Sequence, residues 1–158
     1  YCESLRAGGR YIVCEQVQDP ANTGAVIRSA AAFRMDGVVL CGGCDPFSPK
    51  VLRGSMGAVF KVPLHRFDSF EQAALALHER GLALYAAMLD RDAARIDDVR
   101  FEGGGAVVVG NEGAGLSARA AALCDGRVYI PIAPQVESLN AAVAASIFMW
   151  EMSGRDRG

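Results

Sequence analysis

Short runs of branched aliphatic residues recur along this chain, and a stretch of helical character separates each from the next. The runs "RYIVCEQ", "GVVLCG", "VPLHRF", "LALYAAML", "AVVVGN" and "RVYIPI" are read as strands. Helices are predicted at Asn22–Phe33, Pro49–Met56, Ser69–Arg80, Ser117–Leu123 and Leu139–Ser153. A strand that is apolar at nearly every position is buried on both faces, and a helix between such strands returns the chain for a parallel pairing. The pattern therefore predicts an α/β domain: a parallel sheet with helices on both faces. At 158 residues and 51% hydrophobic content the chain suits one domain with a substantial core.

Composition excludes more than it selects. A charged fraction of 22% and a net charge of -2 speak against disorder and against a polybasic surface. The basic residues are fourteen arginines and the two lysines Lys50 and Lys61, a skew that a GC-rich genome also produces. Five cysteines (Cys2, Cys14, Cys41, Cys44 and Cys124) form no dense framework and no signal peptide precedes them, so a reducing cytoplasm is expected. The apolar run "LNAAVAASIFMW" is too short for a membrane span. The pair Cys41 and Cys44 follows a strand, as redox pairs do, but Pro46 interrupts the helix a reactive thiol needs. His65 and His78 have no acidic partner at metal spacing, and no metal site is expected. The chain begins at Tyr1 rather than methionine, so an N-terminal part is expected to be missing from it.

In open parallel sheets, ligands bind at the loops beyond the carboxyl ends of the strands. Three such loops are unusual. In "DPANTGAVIRSAAAF", Asp19-Pro20 favours a turn and Asn22 or Thr23 is suited to cap the helix that follows. Gly24, Ala31 and Ala32 lie three or four residues from Arg28, so that guanidinium projects along a strip with little side-chain bulk. Another backbone or a ligand can come close there, and a structural ion pair for Arg28 is the alternative. "GNEGAGLS" has glycines that let backbone approach a ligand, with Glu112 left over once Ser117 is read as a helix N-cap. It matches neither a P-loop nor a dinucleotide fingerprint. "IPIAPQVESLN" combines helix-blocking prolines with Glu137, Ser138 and Asn140 ahead of a small-residue helix.

Taken together and in order, these segments resemble the SpoU (TrmH) family of RNA ribose 2′-O-methyltransferases, within the SPOUT superfamily. The first family motif, Asn-x-Gly-x-x-x-Arg after Asp-Pro, is matched by "DPANTGAVIRSAAAF". The second is matched by "GNEGAGLS", the third by "IPIAPQVESLNAAVAAS", and "SPKVLRGSMGAVFKVP" between them is also similar. The resemblance implies a SPOUT-type fold with a C-terminal trefoil knot, and a single SpoU-type catalytic domain over residues 1–158 without the N-terminal RNA-binding domain. It implies a homodimer built on the first and last helices. It implies S-adenosyl-L-methionine as cofactor, in a pocket formed around Ala87, Gly110, Ile130 and Leu139. Many relatives carry threonine where this chain has Ala87. A catalytic group of Asn22, Arg28, Glu112, Ser138 and Asn140 is implied, with ribosomal RNA as first expected substrate and transfer RNA as second. No membrane or metal partner is expected. A nucleotide-binding oxidoreductase and a catalytically silent RNA-binding paralogue are the rival readings.

Overall fold

The computed structural model describes residues 1–2 and 4–154. Its strands are β1 (Arg10–Glu15), β2 (Gly37–Cys41), β3 (Leu64–Phe67), β4 (Leu84–Ala87), β5 (Ala94–Arg95), β6 (Gly105–Val109) and β7 (Gly126–Tyr129). Its helices are α1 (Pro20–Ala32), α2 (Pro49–Gly54), α3 (Phe70–Glu79), α4 (Ala118–Leu123) and α5 (Ala141–Ser153). All seven strands pair in parallel in one sheet, in the order β3-β2-β1-β6-β4-β7-β5. The six expected strands are all present, though shorter. The seventh, β5, falls in "DRDAARIDDVRFEGGG", which reads as a surface connection because two residues carry no periodicity.

Side-chain alternation sorts the core into two layers. Ile12 and Cys14 of β1 and Val107 and Val109 of β6 pack with Val26, Ile27 and Ala30 of α1 and Phe148 and Met149 of α5. Tyr11, Val13, Ala106 and Val108 face the opposite way, onto Phe70, Ala73 and Leu77 of α3 and Ala120 of α4. Each strand is thus apolar at successive positions because each face meets a helix. The carboxyl ends of β1 and β6 lie side by side, with Cys14 opposite Val109. From that pair the sheet grows outward in both directions, which makes the crevice between their following loops a topological switch point.

The helix starts show where local rules hold. Ser69 and Ser117 cap α3 and α4, Ser117 as expected, accepting from the N–H groups of Gln72 and Ala120. The cap of α1 is Asp19 rather than Asn22 or Thr23: its side chain accepts from Ala21 N, and Pro20 occupies the first turn. Asn22 and Thr23 are instead buried inside the helix. The last helix starts at Ala141, two residues later than expected, because the Asn140 side chain accepts from Ala142 N and Val143 N. The expected helix over Pro49–Met56 ends at Gly54, and Met56 turns left-handed at φ 53.

The strip of small residues along α1 receives a backbone. A Cβ placed on Gly24 would lie 2.9 Å from the carbonyl carbon of Gly54 and 3.0 Å from Ser55 N. The end of α2 therefore rests directly on the first turns of α1. Gly24→Ala is expected to destabilise the protein by about 1–3 kcal/mol through overpacking, against the gain in helix propensity. Urea unfolding followed by Trp150 fluorescence measures this, and a variant as stable as the parent would disprove the backbone contact.

Candidate active site

Three loops converge at the switch point and are joined by one chain of hydrogen bonds. The carboxylate of Glu112 accepts from Gln18 N at 2.8 Å, from Asp19 N at 2.9 Å and from Asn22 Nδ2 at 3.1 Å. Asn22 Oδ1 in turn accepts from Asn140 Nδ2 at 3.1 Å. An ionised carboxylate can only accept, so Asn22 must turn its amide NH₂ toward Glu112 and its oxygen toward Asn140. Asn140 is fixed from the other side, because its Oδ1 already takes two N–H groups at the start of α5. Every amide orientation in the chain is thus determined. Asn22 is 6% exposed, so its amide is held by these partners rather than by water.

Burial pushes the Glu112 carboxyl up, but the N–H groups of Gln18 and Asp19 and the Asn22 amide outweigh it and hold it below the ordinary carboxylate range. The group is therefore a fixed negative charge rather than a proton acceptor at neutral pH. The rest of its loop is self-closing. Asn111 Oδ1 accepts from Gly113 N and Ala114 N, each at 2.9 Å, and its Nδ2 donates to Gln16 O at 2.9 Å. A Cβ on Gly110 would lie 2.3 Å from Leu116 N, so a side chain is excluded there.

Glu15 is a part of this site that sequence reasoning missed. It is 8% exposed, and its Oε1 accepts from Ser117 Oγ at 2.7 Å while Oε2 accepts from Ser117 N at 3.3 Å. Ser117 Oγ also caps α4. Glu15 therefore ties the far end of the Gly110–Ser117 loop to the end of β1, as Glu112 ties its near end. In the sequence it is only the last residue of a strand, and nothing in its spacing marks it.

Beside this network lies a cavity of about 510 Å³. Ala87, Gly110, Ile130 and Leu139 all line it, together with Glu112 and Ser138. Apolar side chains and loop backbone dominate the wall, the arrangement suited to a planar heterocycle whose edge exchanges hydrogen bonds with main chain. Ser138 is exposed at this wall, and the structure brings it near the cavity rather than into the Asn140–Asn22–Glu112 chain. Arg28 lies elsewhere. It is exposed on α1 and, among the described residues, makes no ion pair, neither with Glu112 nor with another carboxylate.

Other chemistries find little support among the described residues. No group of three or more His, Cys, Asp or Glu side chains is placed to hold a metal ion. All five cysteines are free, and burial pushes the Cys14 and Cys41 thiols up to about 12, opposite to what a reactive thiolate needs. Cys44 Sγ donates to Thr23 Oγ1 at 3.1 Å. No helix is long and apolar enough to cross a membrane.

Known proteins resemble the chain in sequence and in fold. The chain is 39% identical over 141 residues to an uncharacterised tRNA/rRNA methyltransferase of Synechocystis, covering 89% of this chain and 51% of that protein. It is 35% identical over 153 residues to the 23S rRNA (guanosine(2553)-2′-O)-methyltransferase RlmP of Bacillus subtilis, covering 96% of this chain and 61% of RlmP. The crystal structure of an AdoMet-bound rRNA methyltransferase from Sinorhizobium meliloti superposes with a TM-score of 0.88 at 30% identity, over 95% of this chain and 57% of that one. The chain thus spans between about half and three-fifths of the length of these relatives. The model of the SpoU rRNA Methylase family matches residues 9–150, nearly the whole length, and the chain belongs to that family.

Proposed function

We propose that this chain is the catalytic part of an S-adenosyl-L-methionine-dependent RNA methyltransferase that methylates a ribose 2′-hydroxyl, in ribosomal RNA first and transfer RNA second. The observation that carries the reading is the joining of the Asn140–Asn22–Glu112 chain to an apolar, backbone-lined cavity. The names of the Bacillus relative and of the Sinorhizobium structure support the 2′-O chemistry and the cofactor. The same reading puts the enzyme in the cytoplasm.

The cofactor supplies a methyl group on a sulfonium, and Ala87, Gly110, Ile130 and Leu139 would hold it in the cavity they line. When bound it would supply a methyl carbon to a ribose 2′-oxygen, with the thioether as leaving group and the hydroxyl proton given up to a nearby acceptor. The role of the protein is to align the reacting atoms and stabilise charge on the oxygen. A guanidinium stays protonated in proteins and is a poor base. Arg28 therefore binds an RNA phosphate and the developing alkoxide, and the proton passes to a phosphate oxygen or a water. Asn22, Asn140 and Ser138 organise the hydroxyl and the loop, and Glu112 fixes Asn22.

Because Arg28 is outside the Glu112 group of its own chain, it completes the pocket of a second copy. The homodimer buries the outer face of α1 and α5, where Val143 and Trp150 are exposed and Trp150 meets Phe33 edge-on at 5.7 Å. A C-terminal trefoil knot is part of the same reading. It is supported by the insertion of β7 between β4 and β5, and by the way residues 130–139 share one cavity wall with the loops after β4 and β6.

Measurements on the full-length protein test these statements. Calorimetry should show binding of S-adenosyl-L-methionine and none of NAD, and a tritiated methyl assay should label undermethylated ribosomal RNA; the reverse preference would support the oxidoreductase reading instead. Arg28→Ala and Arg28→Lys should both lose most turnover while still binding cofactor, since an ammonium cannot make the planar bidentate contact. Nearly full turnover in the lysine variant would sink the phosphate-clamp role. Glu112→Gln should lower kcat/KM by on the order of tenfold or more, because whichever carboxylate oxygen the new NH₂ replaces, it faces a donor and leaves it unsatisfied. The Glu112 pKa is depressed in the folded state, so its stabilisation is complete above the ordinary carboxylate pKa and is lost as pH falls through the lower folded value. An acid limb of kcat near neutral pH that vanishes in Glu112→Gln would contradict this.

A further inference from the structure

The whole-chain charge hides a local excess. Residues 46–67 carry Lys50, Arg53, Lys61 and Arg66 and no aspartate or glutamate, so these four cations, set against a total of -2, leave -6 for the rest of the chain. All four are exposed, and among the described residues none makes an ion pair. Their charge is therefore available to a ligand rather than used within the fold.

The same segment holds apolar side chains outward. Phe60 is 79% exposed and Met56 is 69% exposed, the latter on a left-handed backbone at φ 53. Phe47, Phe60 and Lys61 line one open groove of about 410 Å³. The position of the segment is set by the contact of Gly54 with Gly24, which lays the end of α2 on the first turns of α1. Asn22 points from those turns into the hydrogen-bonded chain, and Arg28 lies one turn beyond Gly24. The end of α2 and the start of the hydrogen-bonded chain are thus both carried on the first turns of α1.

A partner for this surface must be anionic and must offer flat faces. Protein interfaces are depleted of lysine at their cores, whereas duplex RNA is held by its phosphates and 2′-hydroxyls and has no use for an exposed ring. Single-stranded nucleic acid meets both demands, through phosphates on the cations and bases stacked on rings. We propose that the segment Lys50–Lys61 is a docking surface for single-stranded RNA flanking the methylated nucleotide, with Lys50, Arg53 and Lys61 neutralising phosphates and Phe60 stacking on a base. This rests on the RNA methyltransferase reading and adds to it the path of the strand and the single-stranded form of the flanking RNA.

The test uses full-length protein, a fluorescein-labelled single-stranded oligoribonucleotide of mixed sequence, a duplex of the same sequence, and calorimetry with S-adenosyl-L-methionine. Replacing Lys50, Arg53 and Lys61 together by glutamine should weaken single-strand binding on the order of tenfold or more and lower the slope of log K against log salt by about 2. Phe60→Ala should weaken it by on the order of tenfold at unchanged salt slope, with Phe60→Trp restoring it. Cofactor affinity should be unchanged in all three variants, which shows that the fold and cavity are intact. Unchanged RNA affinity with intact cofactor binding would overturn the docking surface and leave the methyltransferase reading standing. Tighter binding of the duplex, or a change of oligomeric state in the variants in place of RNA loss, would also overturn it. A parent protein that binds cofactor but no RNA overturns the surface and the RNA substrate together, and one that binds neither overturns the underlying reading as well.

Discussion

A carboxylate surrounded by donors holds this site together. Glu112 is carried on the loop after β6, and two of its three partners beyond that loop are main-chain N–H groups of the loop after β1. Main-chain donors cannot rotate away, so the carboxylate fixes the distance between the two loops rather than merely decorating it. Glu15 repeats the device in the opposite direction, from β1 to the N–H and hydroxyl of Ser117. The Gly110–Ser117 loop is therefore fastened at both ends, and the cavity wall it forms is pre-set before any ligand arrives.

That fastening is possible only because the sheet is parallel. With β1 and β6 side by side and in the same direction, their following loops emerge at one edge. The strand order runs away from this pair on both sides, so no helix crosses between the loops and a crevice remains. The third contributor, the segment before α5, reaches the same edge from β7 and presents Asn140 at a helix start. There one side chain caps α5 through its oxygen and orients Asn22 through its nitrogen. Local helix chemistry and site chemistry are thus carried by one residue.

The spacing of small residues around Arg28 was legible as cleared space, but two kinds of occupant could fill it. The backbone of α2 fills part of it at Gly54, and only the packing of two helices could show that. The start of α1 lies two residues before the expected Asn22 because Asp19, Asn22 and Thr23 are all good caps by type. The choice among them follows from tertiary demand: Asn22 and Thr23 are needed in the interior, so Asp19 takes the cap. Glu15 was not legible at all, since a terminal strand residue has no pattern to violate. The basic, carboxylate-free character of residues 46–67 is plain in the sequence, but whether those side chains are spent on internal ion pairs is a question of distance.

The sequence by itself determined the fold class, through apolar strands that require a helix on each face. It also determined the glycine-rich and proline-marked loops, because those residues act on their own backbone. Which loops meet, which carboxylate takes which N–H, and that Arg28 stands apart from Glu112 were decided by tertiary structure. Those relations join residues about ninety or more positions apart, where chain connectivity sets no distance and only the closure of the sheet does.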